Sequence, residues 1–168
     1  MCSFPPVSSS MLINRRLRLP LSCYFLLCFL LSCSTSKHKA FLDAGNQLAK
    51  DGLLQEAVEA YKKGLEKSPN RPIFLRNLGI ILVKLGDYKN AIKHLKKAYR
   101  SYEQNFDTNF FLAEAYRSED KYAQAIFHYE KSLRIRVGDL DASRALAWSY
   151  YKIRYYQQTI AITKKIFA

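Results

Sequence analysis

The chain has 168 residues, 49% of them hydrophobic and 24% charged, with 27 basic against 14 acidic side chains and a formal net charge of +13. That is enough apolar material for one all-helical domain and too little chain for a second. Only 6 glycines and 5 prolines occur, and no sustained period-two alternation runs from residue 38 onward, which argues against a strand-rich fold.

Residues 1–36 differ in composition from the rest. Arg15, Arg16 and Arg18 form a basic block, Leu19 to Leu31 is apolar and uncharged, and the first acid is Asp43. A basic region, a short apolar region and small residues have the layout of a secretory signal peptide, and the apolar part falls short of the ~20 residues that span a bilayer as a helix. A start at Met11 in place of Met1 gives a leader of ordinary length. Leu30-Leu31-Ser32-Cys33 resembles a bacterial lipobox, in which an aliphatic residue and a small residue precede the cysteine to be acylated. The resemblance implies a signal peptide over 1–32, acylation of Cys33 as the first mature residue, and a lipidated tether over 33–39. Cleavage near Ser34 or Ser36 without acylation, or an uncleaved short anchor, are the competing readings. Two or three acyl chains anchor a protein stably where one does not. Ser34, standing where enteric-type lipoproteins carry an inner-membrane-retaining Asp, implies an outer-membrane address facing the periplasm. Cys2, Cys23, Cys28 and Cys33 all lie at or before the expected cleavage point, so the mature body has no disulfide, thiol catalyst or Cys metal site.

From Ala40 onward the apolar pattern has a helical period and a repeat of 34 residues. In Arg71 to Gln104, Leu75, Leu78, Gly79 and Leu82 form one stripe, Gly86 and Asp87 break it, and Tyr88, Ala91, Leu95 and Ala98 form a second. Shifting back by 34 lays Gly45 on Gly79, Gly52 on Gly86 and Ala57 on Ala91. Shifting forward gives Ala113, Tyr116, Asp120, Ala125 and Tyr129, then Ala147, Tyr150, Thr159 and Thr163. Small residues where two helices cross let their backbones approach, and the large residues beside them fill the groove between successive pairs. The pattern predicts helix pairs at 40–50 with 54–67, 72–85 with 88–102, 106–118 with 121–135, and 140–153 with 156–167. Asp87, Asp107, Asp120 and Asp139 fall near predicted helix starts, where a carboxylate can accept from free amides.

The 34-residue unit, with small residues at its eighth and twentieth positions, resembles the tetratricopeptide repeat family. That resemblance implies an all-α, right-handed superhelical solenoid over 40–168, with repeats at about 38–71, 72–105, 106–139 and 140–168. It also implies that the first helix of each pair lines the inner, ligand-binding face. The family's inner-face positions fall on Asn46 and Lys50, on Arg76, Asn77 and Lys84, on Phe110, Phe111, Glu114 and Arg117, and on Arg144, Trp148, Tyr151 and Lys152. Amides and cations at one end with aromatics at the other suit an extended peptide, though solvated charges and aromatics packed between repeats account for the same residues. The family's carboxylate clamp for chaperone C-termini is incomplete: Asn46 and Asn77 match, but its basic positions hold Leu42, Asp107 and Phe111.

Enzymatic motifs are lacking: there is no Gly-rich phosphate loop, HExxH or nucleophile elbow. No cofactor or metal is implied; His94 and His128 recur one repeat apart, on the order of 10 Å, and read as surface residues. Without the three leader arginines the balance is 24 basic to 14 acidic. A cytoplasmic protein of that charge would invite nucleic acid, but the export signal redirects the expectation to the bacterial envelope. The expected role is a lipid-anchored, non-catalytic adaptor for envelope protein partners, with a binding module for an anionic polymer such as peptidoglycan or lipopolysaccharide as the alternative. Ile160, Ile166 and Phe167 stay apolar to the last residues, so a partner or a second copy forming a homodimer covers that helix, or the reading frame is truncated.

Overall fold

The computed structural model describes residues 38–167, which contain eight helices; the leader and Cys33 lie outside the described residues. They are α1 (38–50), α2 (Leu54–Lys67), α3 (Pro72–Lys84), α4 (Tyr88–Tyr99), α5 (Phe106–Ser118), α6 (Tyr122–Ile135), α7 (Leu140–Lys152) and α8 (Tyr156–Ile166). From α2 onward each helix packs on the next, α1 meets α2 where Gly45 lies against Tyr61, α3 also packs on α5, and α5 on α7. No comparable packing joins α4 to α6 or α6 to α8. The row of first helices is therefore the inner side of an all-α solenoid of stacked antiparallel pairs.

The turn inside each pair is built the same way. The amides of Leu53, Asp87, Lys121 and Tyr155 donate to the carbonyls of Leu48, Leu82, Tyr116 and Tyr150, at 2.9 Å in every case. This is the six-to-one bond of a Schellman ending, which needs a left-handed residue just before the donor. That residue is Gly52 (φ 79°), Gly86 (φ 80°), Asp120 (φ 56°) and Arg154 (φ 64°). The 34-residue period is thus a period in backbone conformation, and the third and fourth turns meet it with residues carrying a Cβ.

Two of the four expected aspartate caps form. Asp87 accepts from the Asn90 amide at 3.3 Å and Asp139 from the Ala142 amide at 3.0 Å. Asp120 does not cap α6, because it is the left-handed residue of the turn and its carboxylate instead accepts from the Tyr122 hydroxyl. Asp107 sits within the first turn of α5, whose cap is Asn105, accepting from the Thr108 amide at 2.9 Å. α4 ends at Tyr99, three residues before the expected 102. The reason is Asn109, fully buried, whose amide donates to the carbonyls of Glu103 (2.7 Å) and Asn105 (3.0 Å) and fixes the connection as a loop.

Within pairs, Ala57, Ala91 and Ala125 are fully buried at the helix crossing. A methyl group built on Gly45 would lie 2.5 Å from the Tyr61 ring, and one on Gly79 2.5 Å from Leu95 Cγ. Between pairs, the Phe74 ring closes directly on Gly64 in the same way. The fourth pair is looser: Thr159 takes the place of the crossing alanine, and no residue of α8 is buried.

Gly79→Val should therefore lower unfolding free energy by about 1–3 kcal/mol in urea denaturation, the range for forcing methyl groups into a filled crossing. Gly86→Ala should cost about 1 kcal/mol and Arg154→Gly should gain up to about the same, since only the first puts a Cβ into a left-handed turn and only the second removes one. Opposite signs in thermal melts are the expected result.

Candidate peptide-binding face

Residues on the first helices share one face but not one fate. Asn46 and Asn77 are half-buried and bonded to each other: Asn46 Oδ1 accepts from Asn77 Nδ2 at 2.9 Å and from the Tyr61 hydroxyl at 2.8 Å. Asn77 Oδ1 accepts from Arg76 Nε at 3.1 Å, and the Arg76 guanidinium lies 5.4 Å from the Tyr102 ring centroid. The two amides thus join the first repeat to the second. Lys50 and Lys84 are exposed and make no ion pair among the described residues.

The third repeat spends its charges internally. Arg117 donates to Glu114 Oε2 at 2.7 Å and to the Tyr129 hydroxyl at 3.2 Å, while that hydroxyl donates to Glu114 Oε1. Burial and the Glu114 carboxylate both hold the Tyr129 phenol well above its usual range, and the Glu114 hydrogen bond raises Arg117. Tyr61 and Tyr129 occupy the same repeat position, and each bonds a polar residue fifteen positions earlier, Asn46 or Glu114. Phe110 and Phe111 are half-buried, Phe110 stacking on Phe106 at 5.6 Å and meeting Phe111 edge-on at 5.3 Å. They serve chiefly as packing.

The fourth repeat offers open aromatic surface. Trp148 and Tyr151 are 48% and 49% exposed, with ring centroids 5.7 Å apart, and Tyr156 continues the row 6.1 Å from Tyr151. Lys152 Nζ sits 5.3 Å from the Trp148 ring. Arg144 is exposed and paired with Asp141 at 3.1 Å. A concavity lined by Arg117, Asp141, Arg144, Ala145 and Trp148 connects this platform to the third repeat. Free cations beside side-chain amides at one end and free rings at the other can take an extended segment.

His128 is not a surface residue. It is buried between Tyr99, Tyr116 and Phe127, at centroid distances of 5.1, 5.7 and 5.0 Å. The Asn109 amide is committed as donor to two carbonyls, so Asn109 Oδ1 must accept and His128 Nδ1 carries the proton, at 3.2 Å. Protonating the other nitrogen among these rings is unfavourable, and burial, with Lys131 adding to it, pulls His128 down to about 4. His94 is half-buried, and burial with the surrounding lysines lowers it too. Among the described residues no three His, Cys, Asp or Glu side chains are grouped to hold a metal ion. Sequence reasoning missed Asn109 and the role of Tyr61 and Tyr129; the polar residue fifteen positions before each tyrosine was the available signal.

The His128 shift has a fixed sign. Its folded value lies below the unfolded one, so the unfolded chain binds the extra proton first and stability is lost as pH falls from about 6.5 through 4. A depression of that size is worth about 3 kcal/mol. His128→Asn, whose amide nitrogen takes the place of Nδ1 and keeps a donor for Asn109, should flatten denaturant stability across this window relative to the wild type. Tyr129→Phe leaves Glu114 without its buried donor and should cost about 1–2 kcal/mol at neutral pH.

Two family models, both described as tetratricopeptide repeat, match residues 42–106 and 82–148. "Small glutamine-rich tetratricopeptide repeat-containing protein 2" of Mycosarcoma maydis is 27% identical over 93 residues, which is 55% of this chain but only 26% of that protein. Among solved structures, MamA 41-end from Desulfovibrio magneticus RS-1 superposes with a TM-score of 0.73 at 19% identity, covering 77% of this chain and 73% of that one. MamA AMB-1 gives 0.70 at 23% identity, over 77% and 70%. An O-GlcNAc transferase mutant of Thermobaculum terrenum gives 0.64 at 18% identity, with 70% of this chain matching 22% of that one. At these identities the likeness is one of fold. The two family models overlap at 82–106 and together span 42–148, and they place the chain in the tetratricopeptide repeat family.

Proposed function

We propose that this protein is a lipid-anchored, periplasm-facing adaptor that holds an extended segment of a bacterial envelope protein on its inner face. A repeat array of this family mediates protein–protein interaction, and the observation that carries the reading is the open platform of Trp148 and Tyr151 beyond the unpaired Lys50 and Lys84. The separation suits a segment with acidic residues towards one end and apolar or aromatic residues towards the other. Acylation at Cys33, an outer-membrane address and the absence of catalysis belong to the same proposal; they rest on the lipobox and on the lack of catalytic motifs in the sequence. A second copy of the chain is the proposed cover for the α7/α8 end, where Ile160 and Phe167 are 48% and 88% exposed.

The test has two arms. A photo-crosslinking residue at position 77 or 151 should capture a discrete envelope partner in cells, and one at the outward-facing position 55 should not; Trp148→Ala with Lys84→Glu should lower the yield by about tenfold or more. Capture from position 55 alone would overturn the inner-face reading. Metabolic labelling with a clickable fatty acid should mark the wild type and not Cys33→Ala, and loss of label without loss of membrane retention would overturn the anchor.

A further inference from the structure

The outer face carries a feature that an adaptor's inner groove does not use. α4 contains Lys89, Lys93, Lys96, Lys97 and, at its cap, Arg100, and no acid between Tyr88 and Tyr102. At 100° per residue these five cations fall within an arc of about 100°, opposite the buried Ala91, Leu95 and Ala98. All five are exposed, and none makes an ion pair among the described residues. Like charges three and four residues apart destabilise a helix, so this stripe is unfavourable for α4 by itself. Neighbouring α2 differs: there Lys62 is paired with Glu59 at 2.8 Å, and Glu56 and Glu66 interleave.

Beneath the stripe lies a groove of about 450 Å³ between α2 and α4, with Lys62, Lys97 and His94 among its lining residues and Leu65 and Leu78 at its floor. His94 Nδ1 is shielded from solvent and has no hydrogen-bond partner among the described residues. One repeat further on, the positions of Lys93, Lys97 and Arg100 are held by Phe127, Lys131 and Arg134. Phe127 is 49% exposed with Lys131 Nζ 5.0 Å from its ring, and Ile135 is exposed beside them.

We infer that the outer face of α4, continued by Phe127 and Ile135 of α6, docks on an anionic phospholipid surface. The stripe of four ammonium groups and one guanidinium neutralises headgroup phosphates, and lysine stems and an aromatic ring sit at the boundary between headgroups and acyl chains. The exposed apolar pair favours a lipid surface over a fully solvated polyanion, which has no use for it. The inner face is left free, so this inference and the adaptor reading fail separately.

Site-resolved lysine labelling of the full chain tests it on vesicles of phosphatidylcholine alone and of phosphatidylcholine with phosphatidylglycerol. Whatever holds the leader to either vesicle, Lys89, Lys93, Lys96 and Lys97 should label about fivefold more slowly on the anionic one, while Lys50 and Lys84 are unchanged. Raised salt should abolish the difference. Lys93→Glu with Lys97→Glu should remove protection at Lys89 and Lys96, and Lys50→Glu with Lys84→Glu should leave it intact. Equal labelling of the α4 lysines on both vesicles, or protection transferred to Lys50 and Lys84, overturns the inference, and the wild-type comparison decides the matter even if a variant misfolds.

Discussion

The closeness of the two helices within a pair is the constraint on which everything else rests. Where Gly45 meets Tyr61 and Gly79 meets Leu95, there is no room for one further carbon atom. Close approach lets the crossing alanines Ala57, Ala91 and Ala125 be fully buried, and it sets the angle at which each pair presents its outer flank to the next. The Gly64–Phe74 contact carries the same economy from one pair to its successor. A helix pair of this size cannot bury its apolar face alone, so these contacts bind the four pairs into one domain.

Polar groups inside the array follow the same geometry. Tyr61 and Tyr129 reach across the crossing from identical positions, and each brings a hydroxyl that needs a partner, which Asn46 and the Glu114–Arg117 pair supply. In the intervening repeat the position is Leu95, opposite Ile80, and no polar partner is required. Face residues that looked available for a ligand therefore divide into those recruited to satisfy a tyrosine, those engaged with neighbours on their own helix, such as Phe110 and Arg144, and those left over. Lys50, Lys84, Trp148 and Tyr151 belong to the last kind.

Much of the fold was legible because its cause is local and periodic. Gly79, Gly86 and Ala91 recur as Gly45, Gly52 and Ala57, each for a steric or backbone reason that reads directly from the residue type. What was not legible depends on pairs distant in sequence. His128 looked like a surface histidine because its burial comes from Tyr99 and Tyr116 on other helices, and its tautomer from Asn109, whose own role is to close a loop. Asp120 read as a cap because aspartate suits both a cap and a left-handed turn; only the φ of 56° separates the two. On the inner face, the repeat positions of the family marked the candidates but could not show that Glu114 and Arg117 are engaged with each other.

The unburied α8 gives the array a direction. In a stacked array, stability is the sum of each unit and its interfaces, so the pair with the fewest interior contacts opens first and at the lowest free energy. Here that pair carries Trp148 and Tyr151. A ligand seated on those rings must therefore order the last pair as it binds, and its affinity is reduced by whatever fraction of molecules have that pair open. Recognition and the cooperativity of folding are then a single equilibrium at this end of the molecule, whereas at the Asn46–Asn77 end the surface is already set before anything arrives.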